Sequence, residues 1–196
     1  MKPLFFTIFF YCFFICNADA QLTKGFWLTG GDASFKSITS SPHTSTGSKQ
    51  SITEISPVIG YFFFDKFSAG VKADITFNDY SYGTSVGSPR ITSNQSGYFF
   101  GPYVRYYFLN AEKVVNLLAE ANYEYGISRI RNEGVSQKPS EEQDVSFMAG
   151  PVFFFTRSVA LEFTIGYYYS DQIGFKYNFE GFKMGLGFMI HLERDD

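Results

Sequence analysis

Glu120 and Glu124 are the carboxylate pair that most invites an acid/base reading. Both fall in a stretch whose alternation predicts a strand, where four residues span about 13 Å. Glycoside hydrolysis needs its two carboxyl groups roughly 5–9.5 Å apart. The pair therefore reads as two separate members of a charge network, although other strands could bring carboxylates closer. Hydrolysis by Ser and His needs the two within hydrogen-bond reach, and the chain holds 2 His, His43 and His191. A metal site needs more clustered ligands than two distant histidines supply. Both Cys, Cys12 and Cys16, precede Asn17, which removes a cysteine zinc site and a disulfide framework. No residue is expected to be catalytic, and no metal or cofactor is implied.

The elements that carry such residues have an unusual composition. The 196 residues are 20% aromatic, with 25 Phe and 14 Tyr, and only 18% charged. A net charge of -3 argues against a nucleic-acid partner, which wants a basic surface. Met1-Lys2, the apolar run Leu4 to Ile15 and the small-residue site Ala18-Asp19-Ala20 predict a secretory signal peptide over 1–20. The run is shorter than the ~20 residues of a spanning helix. The remainder, 21–196, is expected to form one domain.

Period-two alternation runs through that domain. From Phe67 to Asn78 every odd position is apolar and every even one polar, charged or Gly. The pattern recurs from Leu117 to Ser128, from Val159 to Ser170 and from Phe182 to Leu192. Eight strands are predicted, roughly 25–37, 51–64, 67–78, 97–108, 115–130, 144–155, 158–169 and 180–192. The first is the least distinct, because Gly30, Gly31 and Asp32 blur its faces. Connections alternate long and short: Asp65-Lys66, Leu109 to Val114 and Thr156-Arg157 are short, whereas Asp79 to Ser96 and Arg131 to Gln143 are predicted as long loops. Pro57, Pro102 and Pro151 open three similar aromatic runs, each before a short turn. Pro lacks the donor that a ladder position needs, so a bulge is expected at each.

Which face points inward follows from size and from the placing of rings. One face carries the charges and the glycines Gly60, Gly70, Gly101, Gly126, Gly150, Gly166, Gly185 and Gly187. Modest side chains suit the interior of an eight-stranded barrel. The other face gathers Tyr61, Phe63, Tyr106 and Phe108 towards the short turns and Tyr123, Tyr125, Tyr167 and Tyr169 towards the loops. Two aromatic girdles are what membrane interfaces favour. The expected fold is all-β: an eight-stranded antiparallel up-and-down transmembrane β-barrel.

The chain resembles the outer-membrane β-barrels of the OmpA/OmpX-like kind, in particular the porin-family barrels of Bacteroidetes. Ala18-Asp19-Ala20 before Gln21, Gly25-Phe26-Trp27-Leu28 with Gly30-Gly31, Pro57 to Phe62 and the final strand Gly185 to Leu192 carry the resemblance. That strand departs from the pattern where Leu192 replaces the usual aromatic. The resemblance implies the bacterial outer membrane, with its lipid and the barrel-assembly machinery as partners.

By parity the inward charges are Glu54, Lys72, Asp74, Arg105, Glu120, Glu124, Asp144, Glu162 and Lys183. Lys72, Arg105, Glu120 and Glu162 fall at similar depth, which predicts a salt-bridge network that plugs the lower lumen. His43 is expected in an outer loop and His191 at the inner end of the last strand. The expected role is structural or porin-like with a narrow or plugged lumen. The alternatives are a surface-binding module acting through its loops on an unknown ligand, and a membrane-embedded enzyme.

Overall fold

Strands longer than a bilayer crossing needs dominate the computed structural model, which describes residues 22–40, 48–83, 90–132, 135–136, 138–174 and 178–193. The expected signal peptide and His43 lie outside them. In chain order the strands are β1 (Trp27–Ser40), β2 (Ser48–Phe64), β3 (Phe67–Gly83), β4 (Arg90–Tyr107), β5 (Val115–Asn132), β6 (Ser140–Phe154), β7 (Val159–Gln172) and β8 (Asn178–Leu192). A two-residue segment, Val135–Ser136, pairs with the end of β5. Each strand is antiparallel to the next, and β8 pairs with β1, so the sheet closes on itself. The fold is an eight-stranded up-and-down barrel.

The stagger is readable from the register. From Leu28 successive partners are Gly60, Gly70, Tyr103, Asn122, Ser146, Tyr168 and Gly181. Carrying the β1–β8 register upward returns the path to Ile38, ten residues above its start. Such a shear goes with a strand tilt of about 40°.

The short connections are tight for local reasons. Lys66 takes a left-handed φ of 66° between β2 and β3. The Asn116 side chain accepts from Leu109 N at 2.9 Å, and Thr156 Oγ1 accepts from the Val159 amide at 3.1 Å. At the other end the strands run further than the hydrophobic pattern indicates. Most of the stretch Asp79 to Ser96 is not loop: β3 and β4 stay paired from Asp79↔Asn94 up to Gly83↔Arg90. Much of Arg131 to Gln143 is likewise drawn into the sheet, since β5 continues to Asn132, Val135–Ser136 pairs with its end and β6 begins at Ser140.

The three prolines do not make bulges. At Pro57, Pro102 and Pro151 the ladder to the following strand skips two residues and resumes in unchanged register. The missing N–H removes bonds without inserting a residue. The register shift that does occur lies between Phe62 and Phe64.

The seam between first and last strands differs from the other seven. Its ladder runs from Trp27↔Leu192 to Ala33↔Leu186 and stops there. Within it Gly30 lies so close to β8 that a Cβ there would stand 2.2 Å from the Phe188 carbonyl oxygen.

Candidate functional site in the barrel lumen

Alternation sends even residues of β1, β2, β3, β5, β6 and β7 and odd residues of β4 and β8 into the lumen. These side chains form three storeys. The floor is apolar: Leu22, Leu28, Phe62, Tyr103, Tyr107, Leu118, Val152, Phe154 and Met189 are buried together. His191 is packed among them, its ring 5.5 Å from that of Phe154 and 5.8 Å from that of Phe62. So the lumen holds large rings as well as the modest side chains expected of it. Glycine makes room for one of them: a Cβ on Gly60 would stand 2.1 Å from the Tyr103 hydroxyl.

Above the floor lies a belt of ion pairs. Arg105 donates to Glu120 Oε2 from Nε at 2.9 Å and from Nη2 at 2.5 Å. Its Nη1 donates to Glu162 Oε1 at 3.0 Å, and the Tyr107 hydroxyl reaches the same oxygen at 3.3 Å. Lys72 lies 3.2 Å from Asp32 and 3.4 Å from Glu120. Lys72, Arg105, Glu120 and Glu162 are all buried. Enclosed charges of this kind persist because each has a partner. The cavity left among them is about 10 Å³, at the lower limit for holding one water molecule.

The third storey is a chamber of about 530 Å³ towards the loop end. Glu54, Asp74, Glu124 and Asp144 line it, together with Lys183. Lys183 pairs with Glu54 and, at 3.1 Å, with Asp74. Asn122 donates to Glu124 at 2.9 Å and also bonds Ser146. Among the described residues no group of three or more His, Cys, Asp or Glu is arranged to hold a metal ion.

All seven residues of the expected polar network face the lumen, but they divide between two storeys. Lys72, Arg105, Glu120 and Glu162 form the belt, whereas Asp74, Glu124 and Lys183 belong to the chamber. Glu120 and Glu124 have different partners and do not act as a pair. Asp32 completes the belt and is absent from the sequence-derived set. Its parity with Leu28 was the available signal, obscured by Gly30 and Gly31. The floor is absent too, because Phe62 lies within the run Tyr61 to Phe64, where every position is aromatic.

The sequence also contains a Gly-x-Ser-x-Gly spacing from Gly83 to Gly87. Residues 84–89 lie outside the described ones. The flanking elements are two antiparallel strands, not the strand-to-helix turn that a nucleophile elbow requires. The spacing carries no assignment of a nucleophile.

No family model and no curated protein matches the chain. Among solved structures, the crystal structure of Neisserial surface protein A is similar at 16% identity, with 87% of this chain and 98% of that one covered and a TM-score of 0.48. At that level the likeness is one of overall shape, and nothing further is carried across.

Proposed function

We propose that this chain is a bacterial outer-membrane barrel of structural or surface role whose lumen is plugged, not an open pore. The observation that carries the plug is the belt. A cavity of about 530 Å³ stands above it, and at the belt only about 10 Å³ remains. The apolar floor beneath adds a second closure.

The outward face supports the membrane. Phe35, Ile59, Phe100, Phe147, Phe163, Ile165 and Leu186 all point out of the wall and are exposed. Proteins in water rarely present so continuous an apolar surface, whereas a lipid-facing barrel requires it. Trp27, Tyr61 and Phe63 stack edge-on near the short-turn end, and Tyr167 packs against Phe182 higher up. Outer-membrane lipid is the partner this face fits, and the barrel-assembly machinery is the expected route of insertion.

The test is planar-bilayer conductance of the folded barrel, with folding scored by heat-dependent gel mobility. Folded protein that passes no current agrees with the plug. Stable conductance steps overturn it.

A further inference from the structure

The parted seam and the chamber meet. Above Ala33↔Leu186, residues 34–40 of β1 pair with β2 alone and residues 178–185 of β8 pair with β7 alone. Phe35 and Met184 would be register partners if the ladder continued. Strand parity aims both outward, as it does Phe182, and they are 71%, 71% and 82% exposed. All three nonetheless line the same cavity as the lumen acids. The wall is therefore open sideways at this height, and the chamber runs from an acidic inner end to an apolar mouth.

We propose that the chamber binds a single-chain amphiphile with a cationic head, which enters from the membrane through the gap between β1 and β8. Three observations point to this ligand class. The volume of about 530 Å³ falls in the range of small-molecule sites. Four acids face one cation there, and that cation, Lys183, is already held by Glu54 and Asp74. A carboxylate head would meet like charge, whereas an ammonium head would meet Glu124 and Asp144. Asp74 is 7% exposed, and its Oδ1 has no hydrogen-bond partner among the described residues; the same holds for Asp144 Oδ1. The mouth explains the tail. Backbone edges left open at membrane depth are tolerated where they line a cavity, and Phe35, Phe182 and Met184 give a hydrocarbon chain an apolar path to the lipid.

This inference rests on the membrane reading above, so the test scores that first. The full chain is produced in a bacterial outer membrane, purified and placed in phosphatidylcholine nanodiscs, with folding checked by gel mobility. Dodecylamine, dodecanoate and dodecanol are the probes, and native mass spectrometry counts what remains bound. One dodecylamine per barrel is expected, held about tenfold or more tighter than dodecanoate. Glu124→Gln with Asp144→Asn is expected to remove that preference. Phe35→Cys with Met184→Cys places the only cysteines of the barrel across the gap, because Cys12 and Cys16 lie in the N-terminal segment. Oxidation should abolish uptake and reduction should restore it.

Equal retention of the three probes overturns the site, as does a preference unmoved by the charge-neutral pair. Uptake that ignores the disulfide overturns the sideways route. Should the cysteine variant not fold, the charge-neutral pair still decides the ligand class. A chain that stays soluble and never enters the bilayer overturns the membrane reading and this site with it. An inserted barrel without head-group preference overturns the site alone.

Discussion

Arg105 Nη1 reaches Glu162 Oε1 at 3.0 Å although the two residues stand on β4 and β7, three strands apart around the wall. The same guanidinium grips Glu120, so one cation lies between two buried carboxylates. Arg105→Met leaves both without it, and is expected to destabilise the barrel by about 3–5 kcal/mol. Adding Glu120→Gln and Glu162→Gln is expected to recover most of that loss. Urea-unfolding midpoints in lipid vesicles measure both steps. A midpoint that R105M leaves in place would show that the belt contributes nothing.

Belt and floor close the lumen in series. Arg105→Ala with Glu120→Ala opens only the belt, and Phe62→Ala with Phe154→Ala opens only the floor. Neither pair is expected to conduct, whereas the four together are expected to give stable current steps in a planar bilayer. Current from either pair alone would mean that the two closures are not independent.

Gly60 and Tyr103 form a small-against-large pair along the inner wall, two strands apart. A Cβ at residue 60 would stand 2.1 Å from the Tyr103 hydroxyl oxygen and 3.0 Å from Cζ. Gly60→Ala is expected to cost about 1–3 kcal/mol through overpacking. In the background of Tyr103→Phe the cost should shrink, because the nearest atom is gone. A double-mutant cycle on unfolding free energies reads the difference. Simple additivity would count against the contact.

Phe163 points outward and is paired with Leu186 in the lower, fully laddered part of β8. Phe163→Lys is expected to destabilise a lipid-embedded barrel by about 2–4 kcal/mol near mid-depth. A barrel standing in water would tolerate the same lysine. Unfolding in vesicles against refolding without lipid separates the two cases, and an indifferent Phe163→Lys would argue against a membrane.

Much of this architecture is legible in the sequence where apolar and polar positions contrast. From Phe67 to Asn78 parity alone places Lys72 and Asp74 inside. The contrast fades where both faces use similar residues. Above Asn78 it inverts instead: Tyr80 and Tyr82 share the parity of Lys72 and Asp74, and Asp79 and Ser81 that of Ile75 and Phe77, so the upper β3–β4 hairpin reads as loop, although its backbone ladder is continuous. Asp32 hides behind two glycines, and Phe62 behind its aromatic neighbours. The gap beside Phe35 has no sequence signal at all, because pairing between the first and last strands is a property of the closed ring. The proline positions were visible but their effect was not. A missing donor can thin a ladder without moving its register.

The membership of the belt bears on how the barrel can form. Arg105 and Glu120 are direct cross-strand partners on adjacent strands. The other ion pairs skip around the ring: Lys72 of β3 to Asp32 of β1 and Glu120 of β5, Arg105 of β4 to Glu162 of β7, and Lys183 of β8 to Glu54 of β2 and Asp74 of β3. A lone hairpin satisfies almost none of them. In a half-curled sheet most of these charges lack their partners and still need water. Its electrostatics thus favour a finished ring over any partial one, which makes closure of the barrel cooperative.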